Sequence, residues 1–427
     1  MLYLINMFVV YFLVRYVGIP AAVAGMLFAV TRVYDALINP VIGTWSDRST
    51  GRWGRRRPWM LVGTMVAPLA CIAVFNPPSL EPGLGLYAAV LATLLLYSTG
   101  YSLFAIPHVA QGAEMTDDYN DRASLMAWRT FFIYVSGIVI TAGAPALIAY
   151  WGSDRGAYSG MSIAAAGVIG GTMLWVVAFT GRATGPPAST HRTKRSASLL
   201  ATLQNKPFVA ILLTKMMGQL GTAFAGASML FFMTDVLQRD EKAMALLGLA
   251  ANLVGVATVP VWNRLLRHFE RRSLLMVLLA ASALTYFSWV LATPDESQLV
   301  FIIRAAALGA LGSGTVFTAM AMLTDTIEYV RLTTGERREG LFVGAFELMQ
   351  TTSFVVAPLI AGFAFSMAGL EPGQAAQGNQ PESAVQVIRL YMGVAPAICA
   401  ALGVLLLTFY RLDAQKLTAL RASAAGD

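Results

Sequence analysis

The residues with the most chemical promise sit in one segment, Arg32-Val-Tyr-Asp35-Ala-Leu-Ile-Asn39-Pro40. Asp35 and Asn39 are four positions apart, and side chains at that spacing share one face of a helix. A carboxylate and an amide oxygen so placed can reach one ion. Asn39 offers sodium a carbonyl oxygen, but it cannot itself carry a proton at ordinary pH. The surrounding residues are apolar, and an ionised group in such a run is costly unless it is paired or faces a cavity. Two readings of Asp35 therefore stand side by side: a functional acid, or a structural partner for Arg32 one turn earlier.

Further charges interrupt apolar runs. Lys215 either lines a cavity or carries its ammonium outward along its stem. Glu347 has a short stem and snorkels poorly, which favours a cavity-facing position. Arg304 lies near the end of its run, where it can snorkel. His108 can titrate near neutral pH, although a plain hydrogen-bonded role is the simpler reading. Asp47 follows Gly43 in Gly43-Thr-Trp-Ser-Asp47-Arg48, and Arg52, Arg55, Arg56 and Arg57 come soon after. Guanidinium groups beside a carboxylate at a helix end form charge-assisted pairs, and such pairs can hold one side of a membrane protein shut. The alternative is a generic basic cluster. No phosphate-cradling loop, nucleophile elbow or zinc signature is present in the sequence, so neither ATP-driven chemistry nor an enzyme is expected, and no cofactor is called for.

The elements that must position these groups follow from composition. The chain is 57% hydrophobic and 12% charged, too few charges to cover a soluble protein of this length. Its apolar residues come in long runs that reach the roughly 20 residues needed to cross a bilayer. In lipid the backbone must satisfy its own hydrogen bonds, so these runs are helices. About twelve are predicted, at 1–17, 20–44, 58–76, 84–112, 124–150, 158–181, 207–237, 241–266, 273–293, 297–326, 341–370 and 384–411. The first is a span and not a cleaved signal, because no small-residue cleavage site follows it. It opens at Met1 without a cytoplasmic lead, and the start of its helix is expected to be missing. Cys71 and Cys399 fall inside spans, which argues against a structural disulfide.

The net charge of +7 is no nucleic-acid signal, because the basic residues lie between the runs. Alternate loops hold Arg48 to Arg57, Arg192 to Lys206, Arg264 to Arg272 and Arg331 to Arg338, while the opposite set holds only Arg15, Arg155, Arg239 and Lys242. The positive-inside rule puts the first set, and both termini, in the cytoplasm. A polar segment rich in Gly, Pro, Ser and Thr reads as a linker. The predicted fold is thus an all-α integral membrane protein of two six-helix bundles, residues 1–181 and 207–411, joined by linker 182–206 and followed by a tail, 412–427.

Several segments carry a family resemblance. They are Gly43 to Arg48 with Arg52-Trp-Gly-Arg55-Arg56-Arg57-Pro58-Trp59; the Asp35 segment; Ala105-Ile-Pro107-His108; and Asp325-Thr-Ile-Glu328-Tyr329 followed by Thr334-Gly-Glu-Arg337-Arg338-Glu-Gly-Leu341. Together they resemble the glycoside–pentoside–hexuronide:cation symporter family of the major facilitator superfamily, whose type member is the melibiose permease. The resemblance runs along nearly the whole chain. It implies a cation site at Asp35 and Asn39, a sugar site to which Tyr101 and Arg129 correspond, and a gate of Gly43, Asp47, Arg48, Arg52, Arg55, Arg56, Arg337 and Arg338; Arg32, His108, Lys215, Glu347, Gln350 and Thr351 join the substrate site on their own chemistry and position, Lys215 and Glu347 as charges that the family pattern does not supply.

The chain departs from the family at three places. Asn39 stands where the family pattern has a second acid, Ala105 where the melibiose permease has a sugar-binding aspartate, and no lysine is present on span eleven. These changes argue against melibiose itself. What the resemblance implies is secondary transport of a sugar or glycoside-like solute by alternating access, coupled to sodium or protons, in the cytoplasmic membrane and as a monomer. An organic anion, a lipid-like amphiphile, uncoupled facilitation, and a non-transporting sensor or scaffold are the alternatives.

Overall fold

The computed structural model describes residues 2–49, 54–115, 125, 128, 132, 135–180, 205–334, 339–373, 378–410 and 412. Among these residues every regular element is a helix. The order is α1 (Leu2–Arg15), α2 (Ala21–Arg48), α3 (Arg57–Phe75), α4 (Leu84–Glu114), α5 (Val135–Tyr150), α6 (Arg155–Thr180), α7 (Lys206–Val236), α8 (Glu241–Ala257), α9 (Val259–His268), α10 (Arg271–Leu291), α11 (Gln298–Thr334), α12 (Glu339–Met367) and α13 (Glu382–Leu407). Among the described residues nine helices are long and apolar enough to cross a bilayer, ten if α8 and α9 form one broken span. The shorter apolar stretches Leu4–Arg15 and Val135–Tyr150 fall on predicted spans one and five. Exposed leucines such as Leu37, Leu69, Leu284 and Leu405 stud the helices, as expected where the solvent is hydrocarbon.

Local sequence explains where helices start and bend. Asn205 caps α7 by accepting from the Phe208 amide at 3.0 Å, and Pro207 follows at the first turn, where its missing N–H is no loss. Pro40, Pro68, Pro107 and Pro358 lie inside helices, and each removes one backbone donor from its ladder. Predicted span eight breaks by 42° between α8 and α9. Pro260 starts the second piece, and Thr258 Oγ1 and Trp262 Nε1 both meet Ser313 Oγ, at 3.2 and 3.0 Å. Predicted span ten continues as helix to Thr334 and does not stop near 326. Its polar extension is held by an Arg271–Asp325 ion pair and by a Thr326–Tyr410 hydroxyl contact of 3.1 Å, so hydropathy alone underestimated its length.

The helices group into two compact units. The first comprises Met1–Arg192, Asp240–Ala245 and Gly362–Pro381. In it α3 packs closely on α4: a Cβ on Gly63 would lie 2.6 Å from the Phe104 nitrogen, and one on Gly100 would lie 2.7 Å from the Ala67 nitrogen. An aromatic cluster of Phe12, Tyr16, Phe75 and Tyr158 joins α1, α3 and α6, with the Tyr16 and Tyr158 rings 4.6 Å apart. Arg15, predicted as a loop residue, is fully buried and donates to the Gly373 carbonyl at 3.1 Å, while the Gly373 amide donates to Val14 at 2.9 Å. Gly373 has φ of +101°, a left-handed conformation that glycine adopts without strain.

The second unit comprises Thr193–Arg239, Leu246–Ala361 and Glu382–Asp427. Its core includes Phe208, Leu275, Leu279, Met322, Phe342 and Leu407, with Phe208 and Phe342 in edge contact at 4.3 Å. Gly309 of α11 meets the backbone of α8 so closely that a Cβ there would lie 1.9 Å from the Ala251 oxygen.

Candidate functional site: a charged turn on α2 and a polar face on α7 and α12

In the first unit, Arg32 organises the predicted ion site. Its guanidinium donates to Asp35 Oδ2 at 2.8 Å and to Asn6 Oδ1 of α1 at 2.7 Å, and it lies 4.8 Å from the Phe28 ring centroid. Arg32 is 6% exposed and Asp35 9%, so the pair is largely desolvated, and its geometry satisfies only half of the carboxylate. Asp35 Oδ1 and Asn39 Oδ1 are both buried without a hydrogen-bond partner. A buried acceptor left alone is costly, and these two lie one turn apart on α2. Pro40 adds to this by withholding the N–H that the Ala36 carbonyl would otherwise accept. Asp35 is thus the ion-pair partner of Arg32 that one reading of the sequence expects, and it keeps its second oxygen in reserve.

Around this turn lie other side chains of α4. Tyr34 of α2 shares a 2.8 Å hydroxyl contact with Thr99. Tyr97 is buried and within electrostatic reach of Arg32, Asp35 and Tyr101. Tyr101 itself is half-buried. His108 stacks on Phe104 with ring centroids 5.4 Å apart, seven positions further along α4 from Tyr101. Asn6 and Tyr97 escaped the sequence reading. A lone amide in an otherwise apolar first span was the available signal for Asn6, whereas a tyrosine in an apolar run carries none.

In the second unit, Lys215 of α7 and the α12 residues come together. The Lys215 ammonium lies 5.1 Å from the Phe346 ring centroid and within electrostatic reach of Glu347. Glu347 and Thr351 are exposed, Gln350 is half-buried, and Ser353 ties the two helices by donating to the Met216 carbonyl at 3.3 Å. Arg304, expected to snorkel, instead pairs with Glu296 at 2.5 Å and sits 5.5 Å from the Trp289 ring centroid. Glu296 offers the guanidinium a fixed anion, so the side chain folds onto it and does not reach for water.

Of the predicted gate, Asp47 accepts from Arg56 at 3.1 Å, with the arginine side chain 10% and the aspartate side chain 56% exposed. The turn is reinforced by Trp59, which donates to Ser49 Oγ at 2.6 Å and stacks on Trp45. Gly43 and Arg55 are half-buried and Arg48 is exposed. Arg52, Arg129, Arg337 and Arg338 lie outside the described residues.

Long apolar helices, with charges held inside the apolar spans of each unit, define a multi-pass membrane carrier. The chain belongs to the family described as MFS/sugar transport protein, whose profile it matches over residues 1–414. This places it in the glycoside–pentoside–hexuronide branch of the major facilitator superfamily, a family of transporters and not of enzymes. It is 25% identical over 417 residues to the inner membrane symporter YicJ of Escherichia coli (strain K12), covering 95% of this chain and 87% of that one. It is 27% identical to the glucuronide carrier protein homolog of the same organism, covering 93% and 86%. It is 24% identical to the isoprimeverose transporter of Lactiplantibacillus pentosus, covering 96% and 85%. Among solved structures, a D-xylose-proton symporter aligns with a TM-score of 0.65 at 13% identity, covering 94% and 93% of the two chains. A bacterial homologue of the human lysosomal transporter Spinster aligns with a TM-score of 0.68 at 14% identity, covering 96% and 95%. These last likenesses establish the major facilitator fold.

Proposed function

We propose that the chain is a proton-coupled symporter of a sugar or glycoside-like solute. It works as a monomer in the cytoplasmic membrane by alternating access of two six-helix halves, with both termini in the cytoplasm. The names of the related symporters and sugar carriers support the solute class and the coupling. The observation that carries the coupling is the pair of buried, partnerless oxygens, Asp35 Oδ1 and Asn39 Oδ1, beside Arg32. A proton needs one such oxygen. It turns the carboxylate into a donor and loosens its hold on Arg32. Sodium has the same two oxygens to use, but only one of them belongs to a carboxylate, and Arg32 already occupies the other half of that group. Cation affinity rises with ligand charge, so this site favours the proton.

Uptake of a solute library into vesicles, with sodium and proton gradients imposed separately, tests the proposal. Concentrative uptake of a sugar-like solute driven by a proton gradient alone is the expected result. Saturable stimulation by sodium alone overturns the proton assignment, and uptake that never exceeds the solute gradient overturns coupling.

A further inference from the structure

The Arg32 side chain is a fork held at two tips. A guanidinium presents parallel N–H groups that match both oxygens of a carboxylate, and an arginine free to meet an acid side-on uses two of them. The Arg32–Asp35 pair is not of that form. Nη1 donates to Asp35 Oδ2 at 2.8 Å, whereas Nη2 donates to Asn6 Oδ1 of α1 at 2.7 Å. Arg32 Nε and Asp35 Oδ1 are both buried with no hydrogen-bond partner. One ion pair therefore holds an unused donor and an unused acceptor, each costly where it is. A guanidinium turned side-on to Asp35 would use both.

Asn6 opposes that turn. Its amide oxygen takes the second arm from a different helix, and the Phe28 ring flanks the guanidinium at 4.8 Å. The amide also brings no charge of its own, so Arg32 stays paired with one acid. The charged and titratable groups facing Asp35 are Arg32 on its own helix and Tyr97 of α4, which lies within electrostatic reach of both; Tyr97 in turn reaches Tyr101 of α4 and Cys71 of α3. From α1 the pair meets Asn6, which is neutral.

We propose that Asn6 is a positioning residue for the coupling proton: by engaging one arm of Arg32 it holds the guanidinium end-on and keeps Asp35 Oδ1 open as the place where the proton lands. This rests on the proton-coupled reading and adds to it a residue outside α2 that decides how readily the carboxylate is protonated. The substitutions have opposite signs. Asn6→Leu removes the acceptor and keeps the bulk, so Arg32 turns onto both oxygens and protonating Asp35 takes more acid. Asn6→Asp sets a second anion against the same guanidinium, so Arg32 is shared and protonation takes less. Asn6→Gln keeps the acceptor and restores the wild-type behaviour.

The test is an infrared titration of the purified full-length chain in detergent, following the protonated-carboxyl band that Asp35→Asn removes. The Asn6→Asp, Asp35→Asn double variant identifies the band of the new acid. The midpoint should move by roughly one pH unit, a tenfold change in proton concentration, towards acid in N6L and towards alkali in N6D, with N6Q close to wild type. Thermal unfolding midpoints confirm folded protein, and if N6L does not fold, the N6D shift decides. A residue that merely props α1 on α2 would change the unfolding temperature and leave the titration where it was, and that result overturns the assignment while the proton reading stands. A wild-type spectrum in which no band sensitive to Asp35→Asn titrates overturns the proton reading and this inference with it.

Discussion

Arg32 holds one oxygen of Asp35 at 2.8 Å and leaves the other, Oδ1, buried without a partner. The second arm of the same guanidinium is held by Asn6 at 2.7 Å, so Arg32 bridges α1 and α2 while Asp35 keeps one acceptor free. On the proposed proton-coupled reading, a proton arriving on Oδ1 would weaken the salt bridge and so loosen the hold of α1 on α2.

Replacing Asp35 with Asn removes the titrating group and keeps its size. In vesicles with an imposed proton gradient, D35N should lose concentrative uptake and retain solute exchange down a gradient. Accumulation above the gradient in D35N would move the proton to another residue.

Asn39→Asp places a second carboxylate one turn from the first, on the face where two acceptor oxygens already lack partners. Charge at a cation site raises its affinity. Sodium dependence of uptake, expected to be weak in wild type, should become saturable in N39D. An unchanged sodium response would show that Asn39 Oδ1 does not face the ion.

Asp47 bonds Arg56 at the cytoplasmic end of the predicted topology. Because its carboxylate is more than half exposed, the pair contributes at most about 1 kcal/mol to stability. D47N should therefore unfold at nearly the wild-type temperature in detergent and insert at the wild-type level. Its initial uptake rate should nevertheless fall severalfold if the pair must form in each transport cycle. Wild-type uptake at matched expression would remove Asp47 from the gate.

Gly309 touches the α8 backbone where a Cβ would fall 1.9 Å from the Ala251 oxygen. Gly309→Ala forces the two helices apart, and overpacking of this kind costs about 1–3 kcal/mol. The thermal unfolding midpoint should fall. Gly171→Ala, at a position with nothing within 4 Å, is the control and should be neutral or slightly stabilising, since alanine is the better helix former. Equal midpoints in both variants would show that α8 and α11 can separate freely.

Much of this protein was legible in its sequence because a bilayer makes local composition decisive. A run such as Leu274–Leu291 must be a helix wherever it sits, since no other backbone structure closes its own hydrogen bonds in lipid. The Arg32–Asp35 pair was legible for the same reason, because a carboxylate in an apolar run must be paired or face a cavity and Arg32 stands one turn away. The Asp47 cluster was readable for a related reason, as acid and base stand within one short loop.

What only the tertiary structure decided concerns groups that meet across elements. Asn6 and Arg32 are 26 positions apart, and no periodicity links them. Arg15 read as an ordinary basic loop residue, yet it is buried against a carbonyl 358 positions away. The break in span eight was partly visible in Pro260, but its pinning by Ser313 was not. Lys215 could have snorkelled, paired with Glu347 or faced Phe346, and its stem allows all three. Apolar periodicity records which side of a helix is buried, whereas the choice among partners depends on the neighbouring helix that packs against that side. That choice is made by side-chain packing between residues far apart in sequence, and so it appears only when the chain is folded.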